Sequence, residues 1–349
     1  MANAQGQQPK DKAGNRQAPT LAVAPSPHLS ESTFTTRRMM VDVLVGLLPA
    51  VLVAIFLFRH HAVVVVGLSV AACLAAEALF SFMRGRRPTL CDGSAVVTGM
   101  ILGLSLPWSA PWYTMVIGGF AAIGLGKAVF GGLGYNLFNP AMVGRAFIML
   151  SFARSLGGSA YVAEDAAVDV MTRATPMTAA KEFASAMMLG LDLDAPEQLG
   201  LGGLFLGSVN GSLGEVSALA LLIGGLYLCW RRSASWEIAL SMVAAVALLG
   251  GLGHWMNLTP LSATGHVLSG AVMLGAFFIA TDPVTSPLTP LGKAIFGAGV
   301  GALTIMLRLF SSYPEGVMFA VLLMNALTPL INQWTIPRPV GGPAAPRAQ

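Results

Sequence analysis

Charge is scarce in this chain. Asp, Glu, Lys and Arg make up 10% of its 349 residues, against about a quarter in a typical soluble domain. So low a share excludes an ordinary water-soluble fold, because long stretches never meet water. Cysteine is scarcer still: Cys73, Cys91 and Cys229 lie far apart with no CxxC. An iron–sulfur cluster needs about four thiolates, so the chain holds none by itself, and the three read as small buried hydrophobes. No GxGxxG follows a strand, which leaves nicotinamide chemistry to other proteins. No metal site is legible. His60 and His61 are adjacent, with side chains expected to diverge, so they make no facing pair for a haem. Residues 1–36 are not expected to be a secretory signal, since they are polar and precede the first apolar run without a cleavage pattern.

What the chain has is apolar runs. About 20 mostly apolar residues make a membrane helix, and ten candidates occur, near 40–58, 62–83, 93–107, 112–131, 139–153, 214–230, 236–253, 265–281, 290–309 and 315–333. The expected fold is an all-α polytopic membrane protein of about ten transmembrane helices. Forty glycines fit this, since membrane helices tolerate glycine better than soluble ones. The third, fifth and eighth runs are short. Short or interrupted spans are where transporters place broken helices and binding sites.

Basic residues give the orientation. With the N-terminus in the cytoplasm, fourteen lie inside or at the inner boundary, among them Arg37, Arg38, Arg84, Lys127, Arg231 and Lys293. Five lie outside: Arg59, Arg154, Arg173, Lys181 and Arg308. The expected organisation is a cytoplasmic tail (1–36), a first five-helix half (37–153), a periplasmic loop (154–213), a second five-helix half (214–335) and a cytoplasmic tail (336–349). The loop is acidic and too long for an ordinary connection, which points to function. A five-helix unit repeated once requires inverted halves. Two heptapeptides, LGKAVFG at 125–131 and LGKAIFG at 291–297, match at six of seven positions. By count both fall on the cytoplasmic side, so they read as similar interfacial anchors and not as the trace of an inversion.

Five polar residues fall at membrane depth or its edge: Glu77, Asp92, Arg145, Glu215 and Asp282. Charge there is expensive and usually functional. Helix capping and interface ion pairs are one reading, and a path for an ion or proton is the other. Arg145 could neutralise a carboxylate or a negative charge on a cofactor. The glycine-rich stretch GGLGYNLFNPAM at 131–142 presents Asn136 and Asn139, whose amides both donate and accept. They could meet the polar edge of a ligand, or satisfy loose backbone in a re-entrant turn.

Six stretches carry a resemblance: SPHLSESTFTTRRMM at 26–40, DGSAVVTGMILGLSLP at 92–107, GGLGYNLFNPAMVGRAF at 131–147, GSLGEVSALALLIGGLYL at 211–228, LSGAVMLGAFFIATDPVTSPLTPLGKAIFGAG at 268–299 and YPEGVMFAVLLMN at 313–325. In this order they resemble the D subunits of Rnf-type ion-translocating electron-transport complexes. More distantly, they resemble the B subunits of sodium-pumping NADH:quinone oxidoreductases. The resemblance implies a urea-channel-like fold in the bacterial inner membrane. It implies partners in the A, B, C, E and G subunits of an Rnf complex, and electron transfer between ferredoxin- and NAD-linked partners coupled to Na⁺ or H⁺ translocation.

It also implies cofactors. Asp169-Val-Met-Thr-Arg-Ala-Thr175 resembles the family's flavinylation signature. Thr175 would then be joined to the phosphate of flavin mononucleotide (FMN) by a flavin transferase. Thr172 and Thr178 are the alternates, and Arg173 stands where the family has glycine. Asn136 and Asn139 match asparagines that hold a non-covalent riboflavin in the related sodium pump. Glu77, Asp92, Glu215 and Asp282 are the candidates for ion coupling. A flavin-free channel or transporter of the same fold, and a cofactor-free scaffold for other subunits, are the competing functions.

Overall fold

The computed structural model describes residues 35–85, 90–156, 176–188, 201–206, 211–311, 313 and 315–337. Among these there is no strand. The first group of helices is α1 (Thr36–Phe58), α2 (His60–Met83), α3 (Ser94–Leu104), α4 (Trp112–Ile123) and α5 (Pro140–Ser151). A π turn, Gly124–Ala128, extends α4. Short helices follow: α6 (Ala153–Leu156), α7 (Pro176–Met188) and α8 (Leu201–Leu206). The second group is α9 (Ala218–Trp230), α10 (Trp236–Trp255), α11 (Ala263–Leu268), α12 (Val272–Leu274), α13 (Pro290–Phe310) and α14 (Val317–Thr335). A second π turn, Gly275–Ile279, continues α12.

Five helices, α1, α2, α10, α13 and α14, are long and apolar enough to cross a membrane, and α3, α5 and α9 are shorter apolar helices. The long ones are apolar outward as well as inward. Phe56 is 83% exposed and Leu248 73%, which suits a surface facing lipid. Exposed tryptophans mark helix ends: Trp112 opens α4, Trp230 closes α9, Trp236 and Trp255 bound α10, and Trp334 lies at the end of α14. An indole ring prefers the membrane–water boundary. The chain is a polytopic membrane protein.

Helix starts are written locally. Asn139 and Thr289 cap α5 and α13, each with proline at the first helical position, where its missing N–H costs nothing. In the first group α2 packs on α3 and α4. In the second, α10 packs on α13. The groups meet where α1 lies against α9 and α5 against α14. The α1–α9 crossing is close because both helices bring glycine to it: a Cβ on Gly224 would sit 1.9 Å from the Gly46 carbonyl oxygen. The segment expected as one long loop, 154–213, contains helices α7 and α8.

Candidate functional site

Two groups of buried charge lie at opposite ends of α3. At its start, Lys127 in the first π turn donates from Nζ to Glu77 Oε1 of α2 at 2.6 Å and to Ser94 Oγ at 2.7 Å. Ser94 Oγ donates to Asp92 Oδ1 at 2.6 Å, and the same oxygen accepts the Ser94 backbone N–H at 2.8 Å. Asp92 thus places a carboxylate at a helix N-terminus, where the helix dipole favours negative charge. Lys127 is 3% exposed and Glu77 likewise. Short, hydrogen-bonded contacts are what make a buried pair tolerable. Nearby, Asp42 of α1 accepts from Ser233 Oγ at 2.8 Å and from Arg231 Nε at 3.2 Å.

A cavity of about 70 Å³ opens beside Lys127, with Asn136, Asn139 and Asp282 in its wall. The two asparagines differ. Asn139 is fully engaged: Oδ1 accepts from the Ala141 and Met142 backbone, and Nδ2 donates to the Ile279 carbonyl at 3.1 Å. It caps α5 and clips it to the second π turn. Asn136 donates from Nδ2 to Phe138 O at 3.2 Å, while its buried Oδ1 has no hydrogen-bond partner among the described residues. Asp282 serves its own turn, accepting from Val284 N and Thr285 Oγ1, each at 3.2 Å.

At the far end of α3, the turn before α9 pairs with the chain leaving α3: Gly214 N donates to Leu104 O at 2.6 Å and Leu213 N to Leu106 O at 3.0 Å. This fixes Glu215 beside Arg145 of α5. Their contact is loose, with Arg145 Nη1 3.8 Å from Glu215 Oε1. Behind them, Arg308 of α13 donates to His266 O at 2.7 Å, to Ser269 O at 3.0 Å and to Glu315 Oε1 at 3.0 Å. Gly270, at φ +66°, makes room for this pair, since a Cβ there would meet Glu315 Oε1 at 1.7 Å. Glu215 Oε1, Glu315 Oε2, Arg308 Nε and both ring nitrogens of His266 are buried without a hydrogen-bond partner among the described residues. Buried polar atoms are normally paired, so this end is under-satisfied.

Helix α7 attaches to the same end. Ser269 Oγ donates to Met177 Sδ at 3.2 Å. Lys181 Nζ donates to the Ser311 carbonyl and, at 2.8 Å, to the Tyr313 carbonyl. Burial holds the Lys181 ammonium below the usual lysine value. Thr175, Thr172 and Arg173 lie outside the described residues; Thr178 is on α7.

The structure therefore gathers Glu77, Asp92 and Lys127 at one place and Arg145 and Glu215 at another, with Asp282 in a turn of its own. Sequence reasoning finds Glu77 and Glu215 but does not pair them with their partners. By position along the spans Lys127 is a boundary charge and Arg308 an outer one, yet both are buried. Glu315 and His266 escape sequence reasoning as site residues. The signal for Glu315 is a carboxylate at the start of a span, in YPEG at 313–316. His60 and His61 do not diverge: their ring centroids are 4.0 Å apart, since adjacent Cα atoms lie only about 3.8 Å apart and side-chain rotation can bring two neighbouring rings together.

Paired charges buried among broken membrane helices place the chain in the class of polytopic membrane proteins built around intramembrane ionisable groups. The chain belongs to the NQR2, RnfD, RnfE family, whose profile matches residues 22–341. It is 39% identical over 322 residues to the D subunit of the Na(+)-translocating ferredoxin:NAD(+) oxidoreductase complex of Acetobacterium woodii, covering 92% of this chain and 95% of that one. It is 37% identical to the D subunit of the proton-translocating ferredoxin:NAD(+) oxidoreductase complex of Clostridium ljungdahlii, covering 90% and 94%. It is 39% identical to the D subunit of the ion-translocating oxidoreductase complex of Halorhodospira halophila, covering 90% and 94%.

Proposed function

We propose that this chain is the D subunit of an Rnf-type complex in the bacterial inner membrane, passing electrons between ferredoxin- and NAD-linked partners in step with Na⁺ or H⁺ translocation. The observation that carries this reading is the similarity to named D subunits over nine-tenths of the chain. The N-terminus is assigned to the cytoplasm and the 154–213 segment to the periplasm, with the A, B, C, E and G subunits of the complex as partners.

FMN attached through its phosphate to Thr175 supplies the redox chemistry when bound. The chain supplies the hydroxyl and, from the next residue onward, helix α7. A non-covalent riboflavin beside Lys127 would have to widen the cavity there, whose about 70 Å³ is well short of the roughly 300 Å³ of the smallest cofactor sites. The fit there rests on Asn136, whose buried Oδ1 is an open acceptor for a ring N–H, whereas Asn139 is already committed to its cap. Among the four coupling candidates we assign the ion to Glu215. Glu77 and Asp92 are held by Lys127 and Ser94, and Asp282 by its own turn.

The experiment is mass spectrometry of the tryptic peptide containing Thr175, with Thr175→Ala beside it. The peptide is expected to carry FMN, and the variant to lose covalent flavin and electron flow while the complex still assembles. A flavin-free peptide returns the chain to the channel or scaffold reading. Flavin retained by the variant moves the attachment to Thr172 or Thr178.

A further inference from the structure

We propose that Lys127 and Leu133 form a movable partition between two cavities, and that the small cavity at Asn136 is the closed state of one larger ligand chamber. The occupant, a non-covalent flavin, rests on the riboflavin reading above; the partition itself does not.

The cavity of about 70 Å³ has a neighbour of about 210 Å³, lined by Glu77, Phe80, Ser81, Arg84, Gly131 and Gly132 among others. Lys127 and Leu133 stand in the walls of both. The Lys127 ammonium shows how the wall is closed. It donates at 2.6 Å to Glu77, which lines the larger cavity and not the smaller, and at 2.7 Å to Ser94, which lines the smaller and not the larger. The lysine therefore spans the gap through which the two would join.

The larger cavity is the way in. Arg84 in its wall is exposed and Ser81 half-buried, whereas Ser94, Thr98, Asn136 and Asn139 around the smaller one are all buried. One of these points to a missing occupant: Asn136 is 5% exposed and its Oδ1 has no hydrogen-bond partner among the described residues. A buried acceptor is normally paired.

Both halves of the partition can move. Arg84 Nη1 donates to the Ala128 carbonyl at 2.6 Å, which holds the π turn carrying Lys127, so the backbone stays and the side chain does the moving. A lysine stem is flexible. Its ammonium can release Ser94 and keep Glu77, and so is never left without the counter-charge a buried ion needs. Leu133 sits between Gly132 at φ +118° and Gly134 at φ +90°, and a Cβ on either glycine would meet nothing within 4 Å. The segment has both the backbone freedom and the room to swing Leu133 aside. Joined, the two cavities approach the roughly 300 Å³ of the smallest cofactor sites, with Asn136 in the wall of the enlarged chamber.

The test reads thiol labelling by a small anionic methanethiosulfonate in the assembled complex, washed free of non-covalent flavin, with the chain's own cysteines replaced by alanine. Ser81→Cys reports the larger cavity and Thr98→Cys the smaller. With the partition intact, Ser81→Cys is expected to label readily and Thr98→Cys slowly. Two backgrounds open it: Lys127→Ala with Glu77→Gln, which leaves neither partner of the pair behind as a lone charge, and Leu133→Ala, which touches no charge. In each, Thr98→Cys is expected to label severalfold faster with Ser81→Cys unchanged, and added riboflavin is expected to slow it again. The partition stands only if Thr98→Cys accelerates in every background that assembles. Labelling of Thr98→Cys as fast as Ser81→Cys with the partition intact also overturns it. Acceleration without protection by riboflavin, and with no riboflavin extractable from the unwashed parent complex, leaves the partition standing and overturns the flavin as its occupant.

Discussion

The two ends of α3 solve the same problem differently. At the Ser94 end, Lys127 and Glu77 meet at 2.6 Å and Ser94 Oγ accepts a second bond from Lys127 at 2.7 Å. At the Leu104 end, Arg145 and Glu215 stand 3.8 Å apart with a second, incompletely bonded pair behind them. A buried pair with excellent geometry is a structural element: removing one partner leaves an uncompensated charge. A buried pair with poor geometry has given up that stability, and in a membrane such a sacrifice points to a group that must change state or partner.

The comparison breaks most visibly if the tight pair is cut. Lys127→Met is expected to destabilise the chain by about 3–5 kcal/mol, measured as detergent-resistant assembly or thermal unfolding. Arg145→Met, at the loose pair, should cost less than half as much. Equal losses at the two ends would remove the distinction. Gly270→Ala comes next. The side chain would meet Glu315 and would hold φ +66° against its preference, so a loss of roughly 1–3 kcal/mol is expected, relieved in part by Glu315→Ala in the same chain.

Glu215→Gln should barely alter stability, because its charge makes no hydrogen bond to Arg145. It should keep flavin and electron flow and lose ion pumping in proteoliposomes. Joint loss of assembly and of both activities would instead make Glu215 a structural residue.

Much of this architecture is legible in the residues. Five of the ten expected spans are helices long enough to cross a membrane, because long apolar runs leave the backbone no other way to satisfy itself in lipid; the others are shorter, and the eighth, 265–281, is broken into α11, α12 and a π turn. The caps at Asn139 and Thr289 are local and can be read from Asn-Pro and Thr-Pro. What is not legible is which charge meets which. Lys127 lies 50 residues from Glu77, and Arg145 is farther still along the chain from Glu215, so each reads as a lone intramembrane charge. Boundary counting places Lys127 and Arg308 at the water because it sees only position along a span and not the partner that draws a side chain inward. Nor can sequence alone divide the labour of the two asparagines, since Asn139 spends its amide on Ile279, 140 residues away.

Helix α3 has 11 residues, about 16 Å of rise. Ser94 at its first position touches Lys127, and the backbone leaving its last turn holds the strap that carries Glu215. A helix this short does not bend, so it acts as a connecting rod. Ser94 and Lys127 can part by rotation of their side chains alone, but an axial shift of the helix itself would reach both the Lys127 contact and the Glu215 strap, because the strap's two hydrogen bonds are to the backbone leaving α3.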